Sequence, residues 1–285
     1  MFCNLGFTIN KEHSSKSNKI KIKYLNAYRY GQDIVLKTIY ETFGLENLIA
    51  LPLSETNPDR ADPIRRFFSG CNEIFYSNIY KLDKLIDDND VIIDGGGNIG
   101  LFSLYAKNLK KNLSCLLFEP EMSNFEVAKK NLANHEGIEY FNEGLFSEVS
   151  QGELLLSSNV MDHKLDSKLI DFEIPAYYYD RQKIKLNTID NAVLLTNKSK
   201  VDLIKLDIEG SELLALQGAV ETIKKYTPLL LIAVDHSKKQ KRNIIDFFKE
   251  NFNIYSSIEI NKENILFYDP EKHLHRIQRL QDVTF

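Results

Sequence analysis

The spacing of apolar positions changes character near residue 81. Beyond it, short apolar runs (Val91–Asp94, Cys115–Glu119, Ile138–Asn142, Val201–Asp207 and Leu229–Asp235) alternate with segments whose apolar positions recur every three or four residues (Ile99–Lys110, Ser123–Asn134, Glu212–Lys225 and Asn243–Asn251). The runs predict strands, the periodic segments helices, and their alternation predicts a parallel sheet with crossover helices on both faces. The strands are near-continuous in apolar character, as strands covered on both faces are. Ile254–Ile260 and Asn264–Tyr268 read as two closing, antiparallel strands. Ser123 and Glu126 have the spacing of a capping box, with Phe125, Ala128 and Leu132 on one face behind it.

The chain before residue 81 is patterned differently. Val35, Ile39 and Phe43 fall four apart with Gly44 just beyond, which predicts a short helix over residues 33–43. Pro52, Pro58 and Pro63 mark a loop. Residues 1–80 therefore form an expected extension, partly helical, ahead of a main domain over 81–270 and a tail over 271–285. Gly152–Lys185, with Tyr177, Tyr178 and Tyr179 in it, has no clear pattern and is placed as an insertion over the site.

Composition changes this picture little. With 285 residues, 43% hydrophobic and 27% charged, the chain is large enough for a core without disulfides or metal. Its three cysteines are widely spaced, which suits a reducing, cytoplasmic setting. A net charge of −4 gives no reason to expect nucleic acid, although Lys11, Lys16, Lys19, Lys21, Lys23 and Arg29 make the first thirty residues locally basic. No apolar run approaches the roughly twenty residues that span a bilayer, so no transmembrane segment is expected.

The chemistry concentrates where the first strand meets its helix: Asp94, Gly95-Gly96-Gly97, Asn98 and Gly100. Ligands of doubly wound sheets lie outside the carboxyl ends of the strands, and glycines there let a ligand approach the main chain. Gly95-x-Gly97-x-x-Gly100 formally matches the dinucleotide fingerprint, with Glu119 nineteen residues on to hold a ribose diol. Asp94 argues for a different ligand: a carboxylate at the strand tip repels a pyrophosphate and attracts the ammonium and sulfonium of S-adenosylmethionine.

The segments Val91-Ile-Ile-Asp-Gly-Gly-Gly-Asn-Ile-Gly-Leu-Phe-Ser103, Phe118-Glu-Pro120 and Val201-Asp-Leu-Ile-Lys-Leu-Asp-Ile-Glu-Gly-Ser-Glu212 together resemble the FkbM family of class I S-adenosylmethionine-dependent methyltransferases. Asn187-Thr-Ile-Asp190, Leu216-Gln-Gly-Ala219 and Pro228 add to the likeness, which extends over about residues 81–270. Gly97 departs from it, standing where the family often has alanine, and residues 1–80 match nothing nameable. The resemblance implies a Rossmann-like fold with a mostly parallel seven-stranded sheet. It also implies S-adenosylmethionine as cofactor, with Asp94, Gly95, Gly97, Asn98 and Gly100 along its methionine part, Glu119 on its ribose, and Asn142 and Glu143 beside its adenine.

The acceptor side is set by the tips of the later strands, Asp207-Ile-Glu209 and Asp235-His236. Methyl transfer needs an aligned nucleophile and a group to take its proton. His236 is the expected base, with Asp207 and Glu209 as further catalytic candidates, and a divalent cation between Asp207 and Asp235 is an open alternative. Lys205 lies inside a strand and needs a carboxylate, with Asp202 or Glu209 the expected partner. The resemblance implies O-methylation of a sugar, glycan or other small-molecule hydroxyl. Tyr177–Tyr179 for stacking and Arg65 and Arg66 for an acceptor phosphate are further expectations. The competing readings are a non-catalytic binding or assembly protein and an NAD-dependent oxidoreductase.

Overall fold

A computed structural model of the chain describes residues 22–30, 33–40, 45–52, 70, 72–157, 163–166 and 178–282. Its centre is a seven-stranded sheet. Five strands run parallel: β4 (Val91–Gly95), β5 (Ser114–Phe118), β6 (Ile138–Phe141), β11 (Leu203–Leu206) and β12 (Leu229–Ala233). β13 (Ser256–Glu259) and β14 (Asn264–Tyr268) close one edge, β14 running antiparallel to both β12 and β13, giving the order β13-β14-β12-β11-β4-β5-β6. The chain fills the sheet outward from β4, first through β5 and β6 and later through β11 and β12, so the reversal that opens a ligand crevice falls at the carboxyl end of β4.

Alternate residues of each strand feed two apolar layers. Ile92, Leu117, Leu203 and Leu231 face one, Ile93, Leu116, Ile204 and Leu230 the other. The first layer is covered by α1 (Leu82–Leu85), α2 (Leu101–Leu109), α3 (Met122–Asn131) and α8 (Leu274–Gln281). The second is covered by α4 (Ile189–Leu195), α5 (Glu212–Gln217), α6 (Val220–Tyr226) and α7 (Lys238–Asn251). Burial on both sides explains the apolar runs, and the expected mostly parallel Rossmann-like sheet is the one found.

Several local expectations change. Residues 33–40 form a strand, β2 (Asp33–Tyr40), between β1 (Ile22–Tyr30) and β3 (Leu45–Pro52) in a separate antiparallel sheet, where a helix was expected. Ile34, Val35, Thr38 and Ile39 are β-branched, and that preference outweighs the four-residue spacing of Val35 and Ile39. The capping box does not start α3; Glu121 is its N-cap, its carboxylate accepting the Asn124 N–H at 2.7 Å. The illegible insertion becomes a four-stranded sheet, β7 (Glu143–Leu145), β10 (Tyr178–Asn187), β8 (Ser150–Ser157) and β9 (Lys164–Leu165) in that order. The alternation Lys183, Ile184, Lys185, Leu186, exposed and buried in turn, was its visible signal. Arg65, Arg66 and Tyr177 lie outside the described residues. Among the described residues no helix is long and apolar enough to cross a membrane.

Candidate active site

At the carboxyl edge of β4, β5 and β11 lies a cleft of about 1110 Å³, counting the part open to solvent. Of the candidate residues, Gly97, Asn98, Glu119, Glu143, Asp207 and Glu209 line it. Asp94, Gly95, Gly100, Asn142 and His236 stand behind its walls, and Gly96, Tyr80 and Lys205 join the lining.

The glycine loop is bent by Gly96 (φ 75°), Asn98 (φ 48°) and Gly100 (φ 85°), all left-handed. Gly96 is the position where no side chain fits: a Cβ there would sit 2.0 Å from the Asp207 carbonyl oxygen. The loop's own N–H groups are spent inside the protein. Gly96 and Gly97 donate to the Phe118 carbonyl at 3.1 and 2.8 Å, and Gly100 to the Gly97 carbonyl at 2.7 Å. Asn98 donates to Glu119 Oε2 and Ile99 to Asn98 Oδ1, both at 2.8 Å. A pyrophosphate needs such N–H groups turned toward it, and residues 96–100 do not offer them.

Asp94 corrects the electrostatic argument. Its fully buried carboxylate accepts from Ser103 Oγ at 2.6 Å and from Lys205 Nζ at 3.1 Å, and its charge is neutralised there. Lys205 therefore pairs with Asp94 rather than Asp202 or Glu209, the shared register of β4 and β11 setting the two opposite each other. The ammonium also donates to the Gly95 and Gly96 carbonyls at 3.0 and 2.9 Å, fixing the loop from beneath. Burial alone would lower the lysine's pKa, but the Asp94, Asp207 and Glu119 carboxylates turn the net shift upward. The negative potential of the cleft comes instead from Glu73, Glu143, Asp207 and Glu209, set against Lys205 as the lysine or arginine among the described lining residues.

Glu119 follows β5 and is almost wholly buried. Its two oxygens are oriented by the N–H groups of Asn98 and Glu121, each at 2.8 Å. Burial pushes its carboxyl up to about 8, more than these two bonds draw it down. Asn142 braces this turn by donating to the Glu119 and Pro120 carbonyls at 2.9 and 3.1 Å, which is why it does not face the cleft. Glu143 does face it and accepts from Asn187 Nδ2 at 2.6 Å.

The turn from β11 into α5 is folded around Glu212, a fully buried carboxylate that accepts the Ile208 and Gly210 N–H groups at 2.8 and 3.3 Å and bonds Gln240. This holds Glu209 in a left-handed conformation (φ 55°), a strained state that persists only where the surroundings impose it. His236 lies behind the turn, 3.5 Å from Glu212 and 3.8 Å from both Glu209 and Asp235. Burial would lower its pKa, but Glu212, Glu209 and Asp235 together push it up to about 9. His236, expected as the base, thus sits among three carboxylates and is not one of the residues lining the cleft. Asp207 remains at the cleft, its Oδ2 accepting from the Tyr80 hydroxyl at 2.8 Å. Asp235 is half exposed beside His236, and among the described residues no group of three or more His, Cys, Asp and Glu is arranged to hold a metal ion.

Gly70, Glu73, Ile74 and Tyr80 close one side of the cleft, so the expected boundary at residue 80 runs through the site. Leu154, Leu165, Ile184 and Leu186 of the inserted sheet, with His163 just before β9, close another.

The model of the FkbM methyltransferase domain matches residues 94–264. The chain belongs to this family. Methyltransferase 1 of Beauveria bassiana is 27% identical over 161 residues, which are 51% of this chain and 64% of that protein. Methyltransferase sdnD of Sordaria araneosa is 28% identical over 175 residues, 52% of this chain and 67% of its own length. The chain thus spans about two thirds of these curated relatives. Among solved structures, the methyltransferase FkbM of Methylobacillus flagellatus is 18% identical with a TM-score of 0.47, covering 65% of this chain and 44% of its own. TYW2 of M. jannaschii, solved in complex with AdoMet, is 11% identical with a TM-score of 0.43 over 87% of this chain and 94% of its own.

Proposed function

We propose that the protein is an S-adenosylmethionine-dependent O-methyltransferase acting on a hydroxyl of a sugar, glycan or other small molecule. The observation that carries this reading, given the family, is a switch-point cleft whose glycine loop keeps its own N–H groups occupied and whose charged lining residues are mostly acidic. Such a cleft suits a cationic adenosyl ligand and opposes an anionic dinucleotide. The residues fit that group: Gly96 and Gly97 let the loop pack directly on the Asp207 carbonyl and the Leu117 side chain, and Glu119 presents two oxygens held in fixed directions for a ribose diol. Glu143 and Leu145 follow β6 where an adenine would rest.

When bound, S-adenosylmethionine supplies a methyl group activated by its sulfonium. The chain's own residues then align the acceptor and remove its proton. In this reading Asp207 accepts the hydroxyl proton, Glu209 orients the acceptor from the next position, and His236 with Glu212 holds the turn that carries both. The inserted sheet together with Gly70, Glu73, Ile74 and Tyr80 excludes water. Calorimetry with S-adenosylhomocysteine and with NAD tests the cofactor assignment: micromolar binding of the former and none of the latter is expected, and the reverse refutes it. Transfer of labelled methyl from S-adenosylmethionine to monosaccharides and glycan fractions tests the acceptor class.

A further inference from the structure

Tyr80 comes from outside every recognised motif, yet it is built into the cleft wall. It is buried, its ring packs edge-on against Phe102 of α2 at 5.3 Å, and its hydroxyl donates to Asp207 Oδ2 at 2.8 Å. The backbone beside it is anchored independently: Asn261, in the turn between β13 and β14, donates to the Ile79 carbonyl at 2.8 Å, and the Ile79 N–H bonds Glu73. Phe102 in turn lies 5.5 Å from Lys205 Nζ, the ammonium that fixes the glycine loop. Tyr80 thus touches both halves of the site, the helix that follows the glycine loop and the carboxylate at the tip of β11.

We propose that Tyr80 is a positioning residue that fixes the Asp207 carboxylate, occupying Oδ2 so that Oδ1 is left for the cleft and the charge is retained toward a cationic ligand. Burial and the adjacent Asp207 carboxylate raise the phenol well above its ordinary pKa, so it stays a neutral donor throughout the neutral range. A neutral donor bonded to a carboxylate favours the ionised form and removes one rotational degree of freedom from it. No other hydrogen bond to the Asp207 side chain is seen among the described residues, so the phenol is what sets its orientation. This inference rests on the proposed cofactor, and its test separates the two.

Tyr80→Phe keeps the ring on Phe102 and removes only the hydroxyl. Calorimetry on the full chain measures S-adenosylmethionine, which carries the sulfonium, against S-adenosylhomocysteine, which does not. Tyr80→Phe is expected to bind S-adenosylhomocysteine within twofold of the parent while losing about fivefold in S-adenosylmethionine affinity, the scale of one hydrogen bond. Asp207→Asn should lose at least as much, and the double variant no more than Asp207→Asn alone, because both changes act through one carboxylate. Equal losses for both ligands would make Tyr80 merely structural and overturn the inference, as would additive losses or an unchanged ratio. Failure of the parent protein to bind either ligand would instead overturn the proposed cofactor.

Discussion

Gly96→Ala tests the architecture of the site at its tightest point. The new Cβ would meet the Asp207 carbonyl oxygen at 2.0 Å and the Ile208 side chain at 3.1 Å, at a residue whose φ is 75°. A left-handed conformation costs an L-residue about 1–2 kcal/mol. Forcing an atom into packed structure adds about 1–3 kcal/mol, and here the obstacle is backbone in the β11–α5 turn that cannot rotate aside. Restriction of the unfolded chain returns about 0.5–1 kcal/mol, leaving a net loss of about 3 kcal/mol. For a unit of this size that lowers Tm by about 6–12 °C. Gly97→Ala is the control. The atoms nearest its Cβ would be those of the Leu117 side chain, from 2.5 Å, with no left-handed penalty, so about 1–2 kcal/mol is expected. Thermal unfolding and S-adenosylhomocysteine calorimetry read both variants. Gly96→Ala should lose most ligand affinity, because relief of the clash moves Asp207 and the loop together, while Gly97→Ala keeps much of it. If Gly96→Ala melts within 2 °C of the parent and binds ligand equally, or if Gly97→Ala is the more damaging, the reasoning fails.

Glu119, held up to about 8 by burial, should make adenosyl-ligand binding pH-dependent: ribose hydroxyls donate to the ionised form, so affinity rises up to about tenfold per unit below pH 8 and levels above it. Calorimetry from pH 6 to 9 checks this; Glu119→Gln should be weak and flat, and a parent profile that falls with pH would contradict it. His236, folded near 9 against about 6.5 when unfolded, contributes about 3 kcal/mol that is fully present below pH 6.5 and lost as pH rises through 9. The melting difference between the parent and His236→Gln should therefore shrink from pH 7 to pH 9.5, and a constant difference would show the imidazole to be neutral throughout. Arg276 of α8 forms a bidentate pair with buried Asp90 at 2.8 and 2.9 Å and also donates to the Leu85 carbonyl. Arg276→Met strands that carboxylate and should cost about 3–5 kcal/mol in urea unfolding, and a loss below 1 kcal/mol would show that the clamp does not hold the tail.

The sequence by itself determined the sheet. Apolar runs such as Leu229–Ala233 can be satisfied only when covered on both faces, and their alternation with helical periodicity leaves one arrangement, so the strands and the crevice at β4 were readable before any coordinates. The residue types at the strand tips were readable too, because Gly97, Asn98, Glu119, Asp207 and Glu209 sit where local geometry alone sends them.

Tertiary structure decided what each charge does. Asp94 looked like a charge offered to a ligand until β11 set Lys205 beside it, 111 residues away in sequence. His236 was visible as a base candidate, but the three carboxylates from two segments that surround it were not. Tyr80 carried no local signal, because its significance is a single bond to a residue 127 positions distant. Periodicity reports which side of an element is apolar, whereas the state of an ionisable group depends on burial and on partners that only long-range pairing brings within a few ångströms.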